Sequence, residues 1–316
     1  MSPLVSIIIP SYNSVRWLGE TLESALAQTW QNREIIVIDD GSTDHSLTIA
    51  HGFESRGVRV VGQPNRGASA ARNHGLRLAR GDFIQYLDAD DLLSPAKIER
   101  QLNLLEQRPS GTIASCAWGR FSENPAETQF VDEAVFRDFA PLDFLILAGE
   151  TGTMMHPAAW LVPRAIANQA GPWDETLSLN DDGEYFCRVI LASAGIVYCA
   201  DADARSYYRS GLSGSLSQQR SERARRSQFH SVELIANVLR RTEDSSRTAR
   251  AIAGHWRRFV HDFFPFPPDL MRRAEEEISR LGEKTGRPPM GTKTAALASL
   301  LGWRTVWRIK HHLSKE

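Results

Sequence analysis

The sequence predicts an α/β fold, a mostly parallel, doubly wound sheet followed by a helical C-terminal extension. Three observations predict it. Short β-branched apolar runs alternate with segments of helical spacing through the first 90 residues, the pattern of parallel strands joined by crossover helices. Each run ends in polar or acidic residues, as expected where such a sheet opens its carboxyl edge to a ligand. Beyond about residue 205 the apolar runs give way to arginine-rich stretches of helical period.

Val5–Ile9, Glu34–Ile38, Val58–Gly62 and Phe83–Leu87 read as strands covered on both faces, because their apolar residues are continuous rather than alternating. Helical spacing marks Val15–Thr29, Asp44–Ser55 and Ala68–Ala79 between them. From Ser94 the pattern loosens into a helix at Pro95–Gln107, a strand near Thr112–Trp118, and helices near Leu142–Ala148, Pro163–Gln169 and Gly183–Ala194. After Tyr198 the chain reads as mostly helical, with Ser206–Ser221, rich in Ser, Gly and Arg, as a loop. Two regions follow: a catalytic domain over residues 1–215 and an arginine-rich helical region over 216–316.

Composition fixes the broad class. The chain has 316 residues, 42% of them hydrophobic and 24% charged, with a formal net charge of −1, which describes an ordinary globular protein. That small net charge conceals a division. Residues 1–204 hold 15 Lys and Arg against 27 Asp and Glu, whereas residues 205–316 hold 22 against 11. Three cysteines without a CxxC spacing point to neither a disulfide framework nor a zinc site, and fit a reducing cytosolic setting. The N-terminus lacks the basic start of a signal peptide, and no apolar run approaches the ~18 residues of a membrane span.

The strand ends carry the chemistry. In the extended segment Asp88-Ala89-Asp90-Asp91, residues two apart share a face, so Asp88 and Asp90 turn to one crevice and Asp91 away. Two convergent carboxylates suit Mg²⁺ or Mn²⁺ on a diphosphate. The competing reading has Asp90 and Asp91 merely precede a helix capped by Ser94 and Pro95. In Asp39-Asp40-Gly41-Ser42-Thr43-Asp44, Gly41 supplies the turn and Ser42 or Thr43 caps the helix, which leaves the doubled aspartate for a base or ribose. Tyr12 offers a stacking face. Neither GxGxxG nor GxxxxGK[ST] occurs, which argues against a dehydrogenase or a P-loop enzyme.

Four motifs, Val5-Ser-Ile-Ile-Ile-Pro-Ser-Tyr-Asn13, Ile35-Ile-Val-Ile-Asp-Asp-Gly-Ser-Thr-Asp44, Asn65-Arg-Gly-Ala-Ser-Ala-Ala-Arg-Asn73 and Tyr86-Leu-Asp-Ala-Asp-Asp91, together resemble glycosyltransferase family 2 in order and spacing. The resemblance covers roughly residues 4–210 and implies the A-type glycosyltransferase fold and an inverting, metal-dependent sugar transfer from a nucleotide donor, most readily a UDP-sugar, to a glycan or lipid-linked acceptor. It implies that Pro10, Tyr12, Asn13, Asp39, Asp40 and Asn65 hold the nucleotide sugar, with Asp40 on the base. Arg72 reaches base or phosphate, Asp88 the ribose or a metal-bound water, and Asp90 binds Mg²⁺ or Mn²⁺ directly. The family's catalytic Glu-Asp pair corresponds to Asp181-Asp182, in which Asp182 keeps the second position as general base. On the residues alone, Asp181-x-x-Glu184 also reads as a capping box. The segment Tyr208-Arg209-Ser210-Gly211-Leu212-Ser213 carries Gly211 where many relatives have a histidine. That departure weakens a metal role there and leaves Arg209 as a phosphate contact. His156 either lines the acceptor pocket or is a hydrogen-bonded structural residue.

The C-terminal arginines read first as a solvated helical face. Nucleic acid is a poor partner, since no zinc finger, RNA-binding aromatic motif or helix-turn-helix accompanies them. In the last segment Ala295, Ala298, Gly302, Val306, Ile309 and Leu313 share one side of a helix and Arg304, Arg308, His311 and Lys315 the other, with Trp303 and Trp307 at the border. This fits either docking on the protein's own domain or peripheral contact with the inner face of a membrane. Two other functions compete with sugar transfer. A sugar nucleotidyltransferase requires a Gly-rich basic loop after the first strand, where Pro10-Ser11-Tyr12-Asn13 stands instead, and an inactive nucleotide- or glycan-binding module has no need of Asp88, Asp90 and Asp182.

Overall fold

A computed structural model describes residues 2–211, 220–265, 267–288 and 292–313. They form two compact units, one of residues 1–145 and 153–217, the other of residues 146–152 and 218–316. The second unit thus recruits a short internal segment that a division at a single point of the sequence does not contain.

The first unit is built on β1 (Val5–Ser11), β2 (Arg33–Asp39), β3 (Val58–Gly62) and β4 (Phe83–Tyr86), crossed over by α1 (Leu18–Leu26), α2 (Ser46–Gly52) and α3 (Ala68–Leu78). Strand order is β3-β2-β1-β4, all parallel, with the two-residue β7 (Val162–Pro163) antiparallel at the edge. All seven residues of β1 are buried, as expected of a central strand covered on both faces. Ile7, Ile9 and Val37 join Leu18, Leu22 and Ala50 in one core, to which Ile98, Leu102 and Leu105 of α4 (Lys97–Leu105) also belong. On the opposite face α3 lies so close to β1 that Gly75 sits directly on Ile8 and Ile38. The predicted α/β class is therefore the observed one.

A second sheet, β5-β9-β6-β8, is not apparent in the sequence. It joins β5 (Leu92–Leu93), β6 (Thr112–Phe121), β8 (Gly195–Cys199) and β9 (Arg205–Arg209), with β8 and β9 parallel to β6 and β5 antiparallel to β9. Residues 206–209, expected in a loop, are thus a strand: their backbone pairs with both β5 and β6. The rest of that expected loop, residues 212–219, lies outside the described residues, including Leu212 and Ser213 of the motif after Tyr208. The acidic turn runs into β5 and not into a helix; Ser94 Oγ donates to the carbonyls of Asp203 and Arg205 in place of capping α4. Between the sheets and the end of the unit lie α6 (Arg164–Ala170) and α7 (Asp181–Ala192), while α5 (Pro141–Thr151) passes into the second unit at Ile146.

The second unit contains α8 (Glu222–Thr242), α9 (Ser246–Phe263), α10 (Pro268–Arg280), α11 (Thr292–Leu301) and α12 (Trp303–Leu313). Ser221 and Ser245 cap α8 and α9 by accepting the amides of Ala224 and Thr248. Val232, Ile235, Leu239, Trp256, Phe259, Leu270 and Ile278 are buried. Many of its arginines pair with acids of the same unit, Arg240 with Glu277, Arg273 with Glu233 and Arg304 with Glu275 among them. Exposed pairs of this kind contribute about 0–1 kcal/mol each, so they account for the charge more than for stability.

At the C-terminus, Ala298 and Val306 are buried, and Trp303 packs edge-on against Phe264 and His261. Part of the predicted apolar side is thus docked within this unit, whereas Ile309 is exposed together with Leu297, Leu300 and Leu301. The side chains of Ala295, His311, Leu313 and Lys315 lie outside the described residues. No helix among the described residues is long and apolar enough to cross a membrane.

The contact between α3 and β1 sets where the site's cation lies, and it is testable. A Cβ on Gly75 falls inside the van der Waals shell of Ile8 Cγ2, so Gly75→Ala is expected to destabilise the protein by about 1–3 kcal/mol. Urea unfolding should show a lower midpoint with an unchanged slope.

Candidate active site

The four parallel strands end on one side, and their loops are stitched to each other. Asn13, at φ 49°, donates its amide to Ser42 Oγ and accepts the Thr43 amide on Oδ1. Asp44 accepts the amides of Val15 and Ser46, and Ser46 Oγ accepts that of Ser14. Ser42 and Thr43, expected to cap α2, are therefore occupied by the β1 loop, and Asp44 ties down the start of α2. Pro10 lies in β1 opposite Ile38, and Tyr12 beyond it is half exposed.

The doubled aspartate after β2 divides its work. Asp40 Oδ1 accepts from Gln63 Nε2 and the Arg66 amide, and its Oδ2 accepts from the Gly67 amide. Both oxygens of the residue expected on the base thus hold the loop after β3, on which Asn65 is exposed. Asp39 accepts the Ser42 amide on Oδ2, while its Oδ1 is buried with no hydrogen-bond partner. A buried acceptor without a partner is costly unless a ligand supplies the donor.

Arg72 is the centre of the site. Projecting from α3, it is buried, donates to Asp88 Oδ1 at 2.7 Å and to Asp181 Oδ2 at 2.8 Å, and stacks 4.5 Å over Trp173. Burial acts to lower its pKa, but Asp88 and Asp181 raise it, so the guanidinium stays charged. Each terminal nitrogen gives a hydrogen to one carboxylate, so Arg72, expected to reach base or phosphate, braces two carboxylates, while its buried Nε has no hydrogen-bond partner. Trp173 is in turn held by Asn73, which exchanges hydrogen bonds with its backbone N–H and C=O, and by stacking on Tyr185 at 4.0 Å.

Through this brace the start of α7 meets the acidic turn. Asn180, in the left-handed region at φ 58°, is the N-cap of α7, and Asp181 begins the helix. The capping box is therefore absent: Asp181 Oδ2 accepts from Ser69 Oγ and Arg72, and Glu184 pairs with Arg188. Tertiary partners outcompete the local one. Asp182 accepts the Gly183 amide on Oδ1, and burial, then the charge of Asp181, pushes its pKa up to about 6.

The acidic segment, expected to be extended, is a tight turn closed by the Asp91 amide on the Asp88 carbonyl. Asp88 is partly exposed and Asp91 fully buried. No hydrogen bond from another residue reaches the Asp90 carboxylate among the described residues, and burial, then Asp91 and Asp88, pushes its pKa up to about 8. Two hard oxygen donors, one of them gripping its proton through burial and acidic neighbours, fit Mg²⁺ or Mn²⁺. Among the described residues no three His, Cys, Asp or Glu side chains are placed to hold an ion, so diphosphate and water would complete its shell.

Two expectations change. Arg209 is buried and donates to Asp90 O, Ser122 O and Glu20 Oε2, which leaves it no phosphate to hold. His156 is buried between Asp91 and Ser206 and lines no acceptor pocket. Sequence reasoning missed Ser69, Asn73 and Trp173. Ser69 and Arg72, three apart at the start of α3, share a helix face, a signal that was readable; Trp173 has none beyond its size.

Comparison with known proteins places the chain in a family. An uncharacterized glycosyltransferase of Rickettsia typhi is 32% identical over 196 residues, covering 61% of this chain and 60% of its own length. Glycosyltransferase GlyG of Streptococcus pneumoniae is 39% identical over 116 residues, 36% of this chain and 38% of its own. The chain therefore spans less than two thirds of the length of these curated relatives. Among solved structures, residues 1–349 of Staphylococcus aureus TarS in complex with UDP-GlcNAc align with a TM-score of 0.69 at 18% identity, over 88% of this chain and 81% of that one. The same portion of TarS in complex with UDP gives 0.64 at 19%, over 84% and 73%. These likenesses concern the fold. The profile described as Glycosyl transferase family 2 matches residues 6–166, more than half of the chain, and the chain belongs to that family.

Proposed function

We propose that the protein transfers a sugar from a nucleoside diphosphate sugar, a UDP-sugar in the first instance, to a hydroxyl of a glycan or lipid-linked acceptor with inversion. The observation that carries this reading is Asp182, a carboxylate without a side-chain hydrogen-bond partner among the described residues, held across Arg72 from the acidic turn. The UDP and UDP-GlcNAc bound to TarS support the donor class. Asp39 Oδ1 accepts a hydrogen from the base, in preference to the fully engaged Asp40, and Tyr12 stacks on it; Pro10, Asn13 and Asn65 shape the same end of the crevice. Asp90, with Asp88, would hold Mg²⁺ or Mn²⁺, which supplies charge neutralisation to the diphosphate.

Transfer then needs one base. The acceptor oxygen attacks the anomeric carbon from the face opposite the diphosphate, the bond from that carbon to the diphosphate breaks, and the diphosphate leaves with its electron pair. The acceptor's proton passes to Asp182. Asp181 suits that role less well because its Oδ2 already accepts from Ser69 and Arg72. Arg72 keeps Asp181 and Asp88 apart and in place. A cytosolic location accords with three free, buried cysteines.

We further propose that the protein lies on anionic membrane surfaces through α11 and α12. Leu297, Leu300, Leu301 and Ile309 are half of the large hydrophobic side chains exposed among the described residues. The segment 292–316 carries five Lys and Arg against one Glu, a complement to anionic lipid.

Asp182→Asn is expected to lower kcat by about 10²–10⁴-fold with UDP binding retained in calorimetry; retained turnover would remove Asp182 as base. Release of UDP marks sugar transfer, whereas release of pyrophosphate would mark nucleotidyl transfer. The base works ionised, so kcat/KM should rise with pH through about 6 and level off above it, a limb absent from any Asp182→Asn residual. For the membrane, intact protein should float with phosphatidylglycerol vesicles and not with phosphatidylcholine, and a Leu300→Ser, Leu301→Ser double variant should stay behind. Equal partitioning of the two proteins would sink the idea.

A further inference from the structure

The acidic turn ends in Asp91, a carboxylate with no part in the chemistry above. It is fully buried, three residues from Asp88 and beside Asp90, where a third like charge is costly. Its two oxygens account for its presence. Oδ1 accepts the Arg209 amide at 2.8 Å, and Oδ2 lies 3.0 Å from His156 Nδ1.

His156 is the middle of a buried chain. Its Nε2 lies 2.9 Å from Ser206 Oγ, which in turn lies 3.8 Å from Cys116 Sγ. Burial pushes the imidazole down to about 4, so it is neutral and has one donor and one acceptor. Asp91 Oδ2 and His156 Nδ1 share one hydrogen bond, His156 Nε2 and Ser206 Oγ share a second, and the Ser206–Cys116 contact extends the chain. The rings of Trp118 and Tyr208, each 5.5 Å away, fix the imidazole plane.

Arg209 closes the other side. Besides giving its amide to Asp91, it donates Nε to the carbonyl of Asp90, and its guanidinium lies 3.9 Å over Trp17 and 4.3 Å over Phe121. The turn is therefore gripped at the Asp91 side chain by His156 and along its backbone by Arg209. The Asp91 amide also donates to the Asp88 carbonyl, so Asp88–Asp91 is a tight turn in which Asp91 is buried inward while Asp88 and Asp90 keep partial exposure.

We propose that His156 is a positioning residue: by pinning Asp91 into the interior it holds Asp90, with Asp88, toward the crevice. This rests on the reading of Asp88 and Asp90 as the cation-binding pair, and it assigns His156 to the site through Asp91 rather than by contact with donor or acceptor.

The two ends of the imidazole can be tested separately. In His156→Asn the amide nitrogen reaches Asp91 but not Ser206; in His156→Gln it reaches Ser206 but not Asp91. Both are polar and smaller than or close to histidine in volume. Hydrogen exchange of residues 84–93 in metal-free protein should quicken about tenfold in His156→Gln and stay near wild type in His156→Asn. Mn²⁺ affinity with UDP present, read from the electron paramagnetic resonance of free Mn²⁺, should weaken about 10- to 100-fold in His156→Gln alone. If histidine merely filled space, Gln, the larger replacement, would be the milder. Exchange and affinity that match wild type in His156→Gln, or that suffer more in His156→Asn, overturn the proposal. Wild-type protein that binds no Mn²⁺ with UDP defeats the cation reading instead, and the exchange comparison then decides the role of His156 alone.

Discussion

A buried guanidinium between two carboxylates organises this molecule. Arg72 is 5% exposed, and its bonds to Asp88 and Asp181 join the end of β4 to the start of α7, segments about 90 residues apart in the chain. Removing one partner from such a pairing leaves a buried charge uncompensated, at a cost of about 3–5 kcal/mol. The arrangement therefore tolerates little displacement. Its position depends on α3, whose own depth depends on Gly75 meeting β1 without a side chain. Trp173 beneath the guanidinium is placed by Asn73 of the same helix. One helix thus carries the fold's tightest crossover contact and the cation that sets the geometry of the crevice.

How much of this was legible follows from how local each cause is. The first sheet was readable to within about two residues at most strand ends, because strands covered on both faces must be apolar throughout. The second sheet was not. β5 is two residues long, and β9, Arg205-Ser-Tyr-Tyr-Arg209, carries no apolar alternation; it exists because β6 offers pairing on both edges. The capping box at Asp181 failed for a related reason. Local spacing favoured it, but Ser69 and Arg72 approach from a helix 100 residues earlier, and a charge-assisted bond is stronger than a capping one.

The division of charge along the sequence has two separate physical causes. In the first unit, acids collect at strand ends and at the start of α7, held against their own repulsion by Arg72, Arg209 and backbone amides. In the second, arginines outnumber acids, yet Arg226, Arg240, Arg257, Arg273 and Arg304 pair with acids of that same unit.

The three aspartate doublets show why repetition in this sequence is not redundancy. In each, one member is consumed by the fold and its neighbour is presented. Asp40 anchors the loop after β3 while Asp39 keeps an unpartnered oxygen; Asp91 is gripped by His156 and Arg209 while Asp90 is not; Asp181 is braced by Arg72 and Ser69 while Asp182 meets only the Gly183 amide. Neighbouring side chains leave the backbone in different directions in strand, turn and helix alike, so a carboxylate tied inward leaves the next one to point elsewhere. Burial raises the proton affinities of Asp90 and Asp182, and in each case the adjacent carboxylate that the fold has fixed, Asp91 or Asp181, adds to it. A single aspartate at any of these positions would have to choose between being held and being available.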